Sequence, residues 1–171
     1  MPVSTNARHG SEAGFSSVSR PRLGRTLNSI AHVSHDLERF VTAQNSQRTY
    51  EHALTELRAG RKTGHWMWFV FPQLAGLGRS AMARTYAIAN LHEAQAYLQH
   101  PVLGPRLVTA AECVLTHRNR SAEEILGDID AVKLRSSMTL FTQADPGETI
   151  FHSVLDQFFD GEEDQATLDR L

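Results

Sequence analysis

Ile150-Phe151-His152-Ser153-Val154-Leu155-Asp156-Gln157-Phe158-Phe159-Asp160-Gly161 decides the fold class. Ile150, Phe151, Val154, Leu155, Phe158 and Phe159 form one stripe of a helix with 3.6 residues per turn. They cannot share one face of a strand, whose side chains alternate. Gly161 then ends the helix. Working outward, the same spacing recurs. Leu37, Phe40 and Val41 follow Asp36, a good N-cap. Tyr50, Ala53, Leu54 and Leu57 continue to Gly60, with a break near Asn45-Ser46 that leaves one interrupted helix or two. Ser80 caps a helix carrying Met82, Tyr86 and Ala89. His92–Leu98 and Val102–Val114 read as helices on either side of Pro101. Ser121 and Glu124 form a capping box for a short helix that Gly127 closes. Asp130–Phe141 follows, with Val132, Leu134, Met138 and Phe141 as its apolar members, and Asp164–Leu171 adds a last turn or two. No alternating run reads as a strand, and no Asn-Gly or Asp-Gly turn joins two such runs. The pattern predicts an all-α fold, a single compact multi-helical domain of short helices. No repeat of 20–50 residues suggests a solenoid.

The chain has 171 residues, 41% of them apolar and 21% charged. That excludes a wholly disordered chain, a fibrous repeat and a coiled coil. The longest apolar run, Trp66–Phe71, is far short of the ~18 residues needed to span a bilayer, so the expected setting is cytoplasmic with no membrane contact. A lone Cys113 excludes an intramolecular disulfide and a Cys-rich zinc site, and the face it occupies predicts an inert core thiol. Residues 1–33 carry four arginines and Glu12, for +3, against −2 overall. The rest therefore holds −5, by subtraction of +3 from −2. With six serines and no sustained apolar period, residues 1–33 read as a disordered Arg/Ser-rich extension. Their Arg-rich, acid-poor character also fits a transit peptide. Residues 34–171 read as the all-helical domain.

No P-loop, Gly-x-Gly-x-x-Gly, Gly-x-Ser-x-Gly or His-Glu-x-x-His motif is present. The nine histidines show no ligand spacing, and neither a metal nor a cofactor is implied. Two stretches carry the candidate chemistry. In Arg58-Ala59-Gly60-Arg61-Lys62-Thr63-Gly64-His65-Trp66-Met67-Trp68-Phe69-Val70-Phe71-Pro72-Gln73, cations precede an imidazole, both tryptophans and an amide. Arg61 and Lys62 suit an anion, Trp66 and Trp68 offer faces for a ring, and His65 can serve as a general acid or base. The same residues also fit plainer roles: tryptophans at the centre of a core, and cations at a negative helix C-terminus. In Lys133-Leu134-Arg135-Ser136-Ser137-Met138-Thr139-Leu140-Phe141, Lys133, Ser136, Ser137 and Leu140 share a helix face. A cation beside two hydroxyls can cradle a phosphate or activate a serine. Equally, hydroxyls in a buried helix bond back to the carbonyl four residues before. The Leu74–Ser80 loop could hold a phosphate where it enters the next helix, as any loop-to-helix junction could.

Both stretches resemble the uncharacterised bacterial family known as domain of unknown function 1810. The resemblance rests on Arg58–Lys62, His65–Leu74, Gly76–Gly78, Tyr86–Ile88, His100-Pro101, Leu103–Leu107, Lys133-Leu134 and Ser136–Phe141, and covers about 36–171. It implies a small all-helical domain without an assigned activity. The calpastatin label carried by some members does not fit, because an inhibitor of that kind is disordered and repetitive. Core packing alone does not call for His65, Gln73, Lys133 and Ser136-Ser137. These residues point to a pocket where the two segments meet, with Tyr86 as a third wall.

The expected function is binding or hydrolytic processing of a nucleotide-like or phosphorylated small molecule between 58–73 and 133–141. In it His65, Lys133 and Ser136 act catalytically, while Arg61, Lys62, Trp66, Trp68, Gln73, Tyr86 and Ser137 bind the ligand. The alternative is a protein-interaction module in which these residues are structural. Nucleic-acid binding through the extension and Arg58–Lys62 is opposed by the acidic remainder.

Overall fold

The structure, a computed structural model, describes residues 35–171. The extension at 1–33 and the readings made of it lie outside the described residues. The helices run α1 Glu38–Asn45, α2 Thr49–Ala59, α3 Met67–Val70, α4 Ala81–Thr85, α5 Leu91–Gln99, α6 Leu103–Leu115, α7 Ala122–Leu126, α8 Asp128–Ala144, α9 Thr149–Phe159 and α10 Gln165–Leu168. No strand forms among the described residues. Leu74 and Ile88 meet in an isolated parallel bridge. None of the described helices is long and apolar enough to cross a membrane.

α8 is the central post, packed against α5, α7, α9 and α10, and α9 also packs on α6. The stripe read first behaves as expected: Phe151, Val154 and Leu155 are buried, with Phe141 stacked on Phe151 at 5.7 Å. Between α1 and α2 lies a 3₁₀ turn, Ser46–Arg48, in which Gln47 and Arg48 take φ of 50° and 57°. Two left-handed residues redirect the chain, so the interrupted segment is two helices.

Four details depart from the sequence reading. Asp36 makes no side-chain cap, since α1 opens one residue later on Leu37. Tyr86 and Ala89 lie beyond α4, because Ile88 bonds through its backbone to Gln73 and Ala75 and pulls the chain straight. α8 extends beyond both expected ends. Val132 is not a core member: it is 61% exposed, as is Ile129 at 76%. Cys113 is buried as expected, and burial pushes its thiol up.

His100-Pro101 joins α5 to α6. The His100 Nδ1 accepts from the backbone N–H of Val102 and Leu103, at 3.2 and 3.3 Å, and so covers two orphan donors at the start of α6. The helices then meet at Gly104, where an added Cβ would stand 2.0 Å from the Leu98 carbonyl oxygen. Alanine would gain about 1 kcal/mol of helix propensity over glycine. A backbone clash this close can be relieved only by parting α5 from α6, with overpacking costs of about 1–3 kcal/mol or more. Gly104→Ala is therefore expected to destabilise by about 2 kcal/mol net, read as a lower urea midpoint with an unchanged slope.

Candidate functional site

The loop joining α2 to α3 is built around one carboxylate. Glu56 accepts from the backbone N–H of Thr63 at 2.8 Å and of Gly64 at 2.9 Å. It also takes the Thr63 hydroxyl at 2.9 Å and the Trp66 indole N–H at 2.8 Å. Gly64 permits this approach: a Cβ there would lie 2.8 Å from the Trp66 ring and 3.1 Å from Glu56. Burial pushes the Glu56 carboxyl up, but these donated bonds outweigh it and hold its pKa down at about 2. The loop thus reaches α3 in a fixed register, with Pro72 just beyond the helix as a stop.

That register separates the two tryptophans. Trp66 is 1% exposed, packed on Phe71, and is a core side chain. Trp68 is half-buried and faces α8 across a short gap, where the Lys133 ammonium sits 4.3 Å from its ring centroid. Lys62 makes the matching contact with Trp66 at 5.0 Å. Asp130 lies between the two lysines, with one oxygen 2.7 Å from Lys133 Nζ and the other 2.7 Å from Lys62 Nζ. Burial pushes the Asp130 carboxyl up, while hydrogen bonds and charge from both lysines pull it below its usual range. One carboxylate therefore joins the two signature stretches and sets Lys133 on the Trp68 face.

Two clefts open on either side of this pair. The first, ≈ 510 Å³, lies between the α3–α4 connection and α8, and includes Trp68, Gln73, Leu77, Arg79, Val132 and Lys133 in its wall. The second, ≈ 550 Å³, includes Trp68, Leu126, Gly127, Asp128, Asp130 and Lys133. Trp68, Ile129 and Lys133 belong to both.

Of the residues singled out by sequence, Lys133, Trp68 and Gln73 come together on the first cleft. Lys62 stands behind them, tied to Asp130 and to the Gly64 carbonyl at 2.6 Å. His65 and Arg61 are exposed and line neither cleft. Trp66 is enclosed in the core. Tyr86 stacks edge-on with Phe69 at 5.2 Å, away from both cleft walls. Ser136 is buried and returns its hydroxyl to the Val132 carbonyl at 3.2 Å, the i−4 bond common to hydroxyls inside helices. Ser137 is fully buried, its hydroxyl without a partner. Ser80 caps α4 through the Ala83 N–H at 3.0 Å, and α4 has only five residues.

Sequence reasoning missed Asp130 and Glu56. The Asp130-x-x-Lys133 spacing was a visible signal, since residues three apart on a helix are neighbours. Glu56 carried none, because its partners lie in the irregular loop that directly follows α2, two of them backbone groups that no residue type announces. It also missed Arg79 as a cleft residue: Arg84 donates to its backbone carbonyl, and its guanidinium has no hydrogen-bond or ion-pair partner among the described residues.

Over residues 34–171 the chain matches the family described as Protein of unknown function (DUF1810), and it belongs to that family. The crystal structure of the conserved hypothetical protein Rv1873 from Mycobacterium tuberculosis is similar. The two chains are 52% identical, the match covers 80% of this chain and 96% of that one, and the TM-score is 0.77. No curated protein matched.

Proposed function

We propose that this member of the family binds a small anionic molecule in the cleft between the α3–α4 connection and α8. One observation carries the reading: Lys133, held by Asp130, lies 4.3 Å over Trp68 on a wall common to two clefts. Fixing a lysine in this way costs side-chain entropy, of order 2 kcal/mol for a freely rotating lysine. The cation–π contact and the ion pair offset that cost, so the ammonium is pre-oriented before any ligand arrives. Arg79 supplies a second cation on the same cleft, and Leu77 and Val132 supply apolar surface.

The support extends to binding rather than hydrolysis. Ser80 is the one hydroxyl residue in the walls of these two clefts. Its oxygen is engaged with the Ala83 N–H, and no base hydrogen-bonds to it. A nucleophile needs such a base within reach.

AMP and ribose 5-phosphate are suitable probes. At ~100 times the dissociation constant either should stabilise the chain by ~2.7 kcal/mol. For a chain of this size that raises Tm by roughly 5–10 °C. The shift should fall at least by half in Arg79→Gln, whose ligand-free Tm stays near that of the parent because the side chain is exposed. A second reading, a partner protein seated on the same cleft, is favoured by Ile129 and Val132, which stand 76% and 61% exposed on its wall. No response to either probe would favour that reading.

A further inference from the structure

The two clefts differ in the charge that remains uncommitted. Asp130 is shared by Lys133 and Lys62, 2.7 Å from each, so the cluster keeps one net positive charge at the wall common to both clefts, and the clefts differ in what lies beyond it. In the first cleft that is Arg79, whose guanidinium meets no carboxylate among the described residues. In the second it is Asp128, which has neither an ion-pair nor a side-chain hydrogen-bond partner among the described residues. Trp68, Ile129 and Lys133 form the ridge between them. A ligand crossing this ridge meets a free guanidinium at one end and a free carboxylate at the other. A guanidinium fits a phosphate through paired N–H donors. An ionised carboxylate only accepts hydrogen bonds, so it selects a group that donates them. It also repels a second anion.

Resting on the binding reading above, we infer that the ligand is a phosphorylated polyol lying across the Trp68–Lys133 ridge, its phosphate on the Arg79 side and its hydroxyls donating to Asp128. The chemistry is shared by free sugar phosphates and by nucleotides. A base on the apolar wall made by Leu77, Ile129 and Val132 would distinguish the latter.

Asp128 also opens α8, where the helix dipole favours a carboxylate without any ligand. The two roles separate in a binding experiment. Removing a negative charge beside an anion site tightens phosphate binding by electrostatics alone, whereas removing a hydroxyl acceptor weakens it. Titration calorimetry of the full chain would use pyrophosphate, 2-deoxyribose 5-phosphate, ribose 5-phosphate and AMP. Ribose 5-phosphate is expected to bind several-fold more tightly than its 2-deoxy analogue. Asp128→Ala should weaken ribose 5-phosphate about tenfold, the scale of one hydrogen bond to a charged group. It should leave pyrophosphate unchanged or slightly tighter. AMP tighter than ribose 5-phosphate would identify a nucleotide, and equal affinities a free sugar phosphate. Equal affinity for the two sugars, or tightening of all the probes in Asp128→Ala, overturns the assignment while the anion site stands. Failure of every probe to bind the parent chain overturns both.

Discussion

Glu56→Ala should destabilise the chain by about 3–4 kcal/mol, among the largest effects of any surface-reaching substitution in the molecule. The carboxylate accepts four hydrogen bonds: two backbone N–H groups, the Thr63 hydroxyl and the Trp66 indole. Bonds to an ionised acceptor contribute about 1.5–3 kcal/mol each, and a buried donor left alone costs about 1–3 kcal/mol. Thr63 is exposed and can turn to water, so its share is small. Trp66 is 1% exposed and cannot. Its N–H and that of Gly64 carry the loss. Glu56→Gln should recover part of the loss, since its amide oxygen can take all three N–H groups while its N–H₂ faces the Thr63 hydroxyl, which can accept, and only the charge is missing. Urea unfolding followed by circular dichroism checks both variants. A loss below about 1 kcal/mol in Glu56→Ala would contradict the role given to the carboxylate.

The same residue sets an acid limb. Its pKa is depressed in the folded chain, from 4.5 to about 2. The bound proton therefore favours the unfolded chain as pH falls. The contribution is complete above about pH 4.5 and drains away as pH drops toward about 2. Glu56→Ala should flatten that part of the stability profile.

Lys133→Met should lower affinity for AMP or ribose 5-phosphate at least a hundredfold with little change in fold. Methionine keeps the apolar stem against Trp68 and loses the ammonium. Losing a pre-oriented cation from an anion site costs about 2–5 kcal/mol when its partner charge stays buried. Asp130 keeps its bond to Lys62 at 2.7 Å, so the carboxylate is not stranded. Stability should then fall by only about 1 kcal/mol, the scale of one partly exposed ion pair. Calorimetry and urea unfolding on the same variant separate the two effects. Wild-type affinity with lost stability would make Lys133 a structural residue.

Much of the fold was legible because amphipathic stripes, a capping box at Ser121 and Glu124, and stops at Gly60 and Pro72 are local signals. The fate of Trp66 and Trp68 was not local. They sit two residues apart beside a four-residue helix, where no period builds up, and only the Glu56 anchor turns one inward. The pairing of the 58–73 and 133–141 stretches was anticipated, but its means was not. Asp130 makes the joint: its spacing to Lys133 was a visible signal, but nothing local marks Lys62 as its second partner. Ser136 and Ser137 looked like chemistry because hydroxyls beside a lysine can be. Their burial, and the bond from Ser136 to Val132, follow from how far α8 sinks into the core beyond its first turns. Val132 misled in the opposite direction, an apolar residue standing on the wall of a cleft.

Whether the Trp68–Lys133 ridge is the binding surface can be tested most directly by amide and indole chemical-shift mapping during titration with ribose 5-phosphate. At 19.1 kDa the chain suits the experiment. The largest saturable shifts are expected at the Trp68 indole N–H, Gly78, Arg79, Asp128 and Ile129, with Trp66 little affected. Shifts centred instead on Arg61 and His65, or none at any concentration, would contradict the assignment of the site.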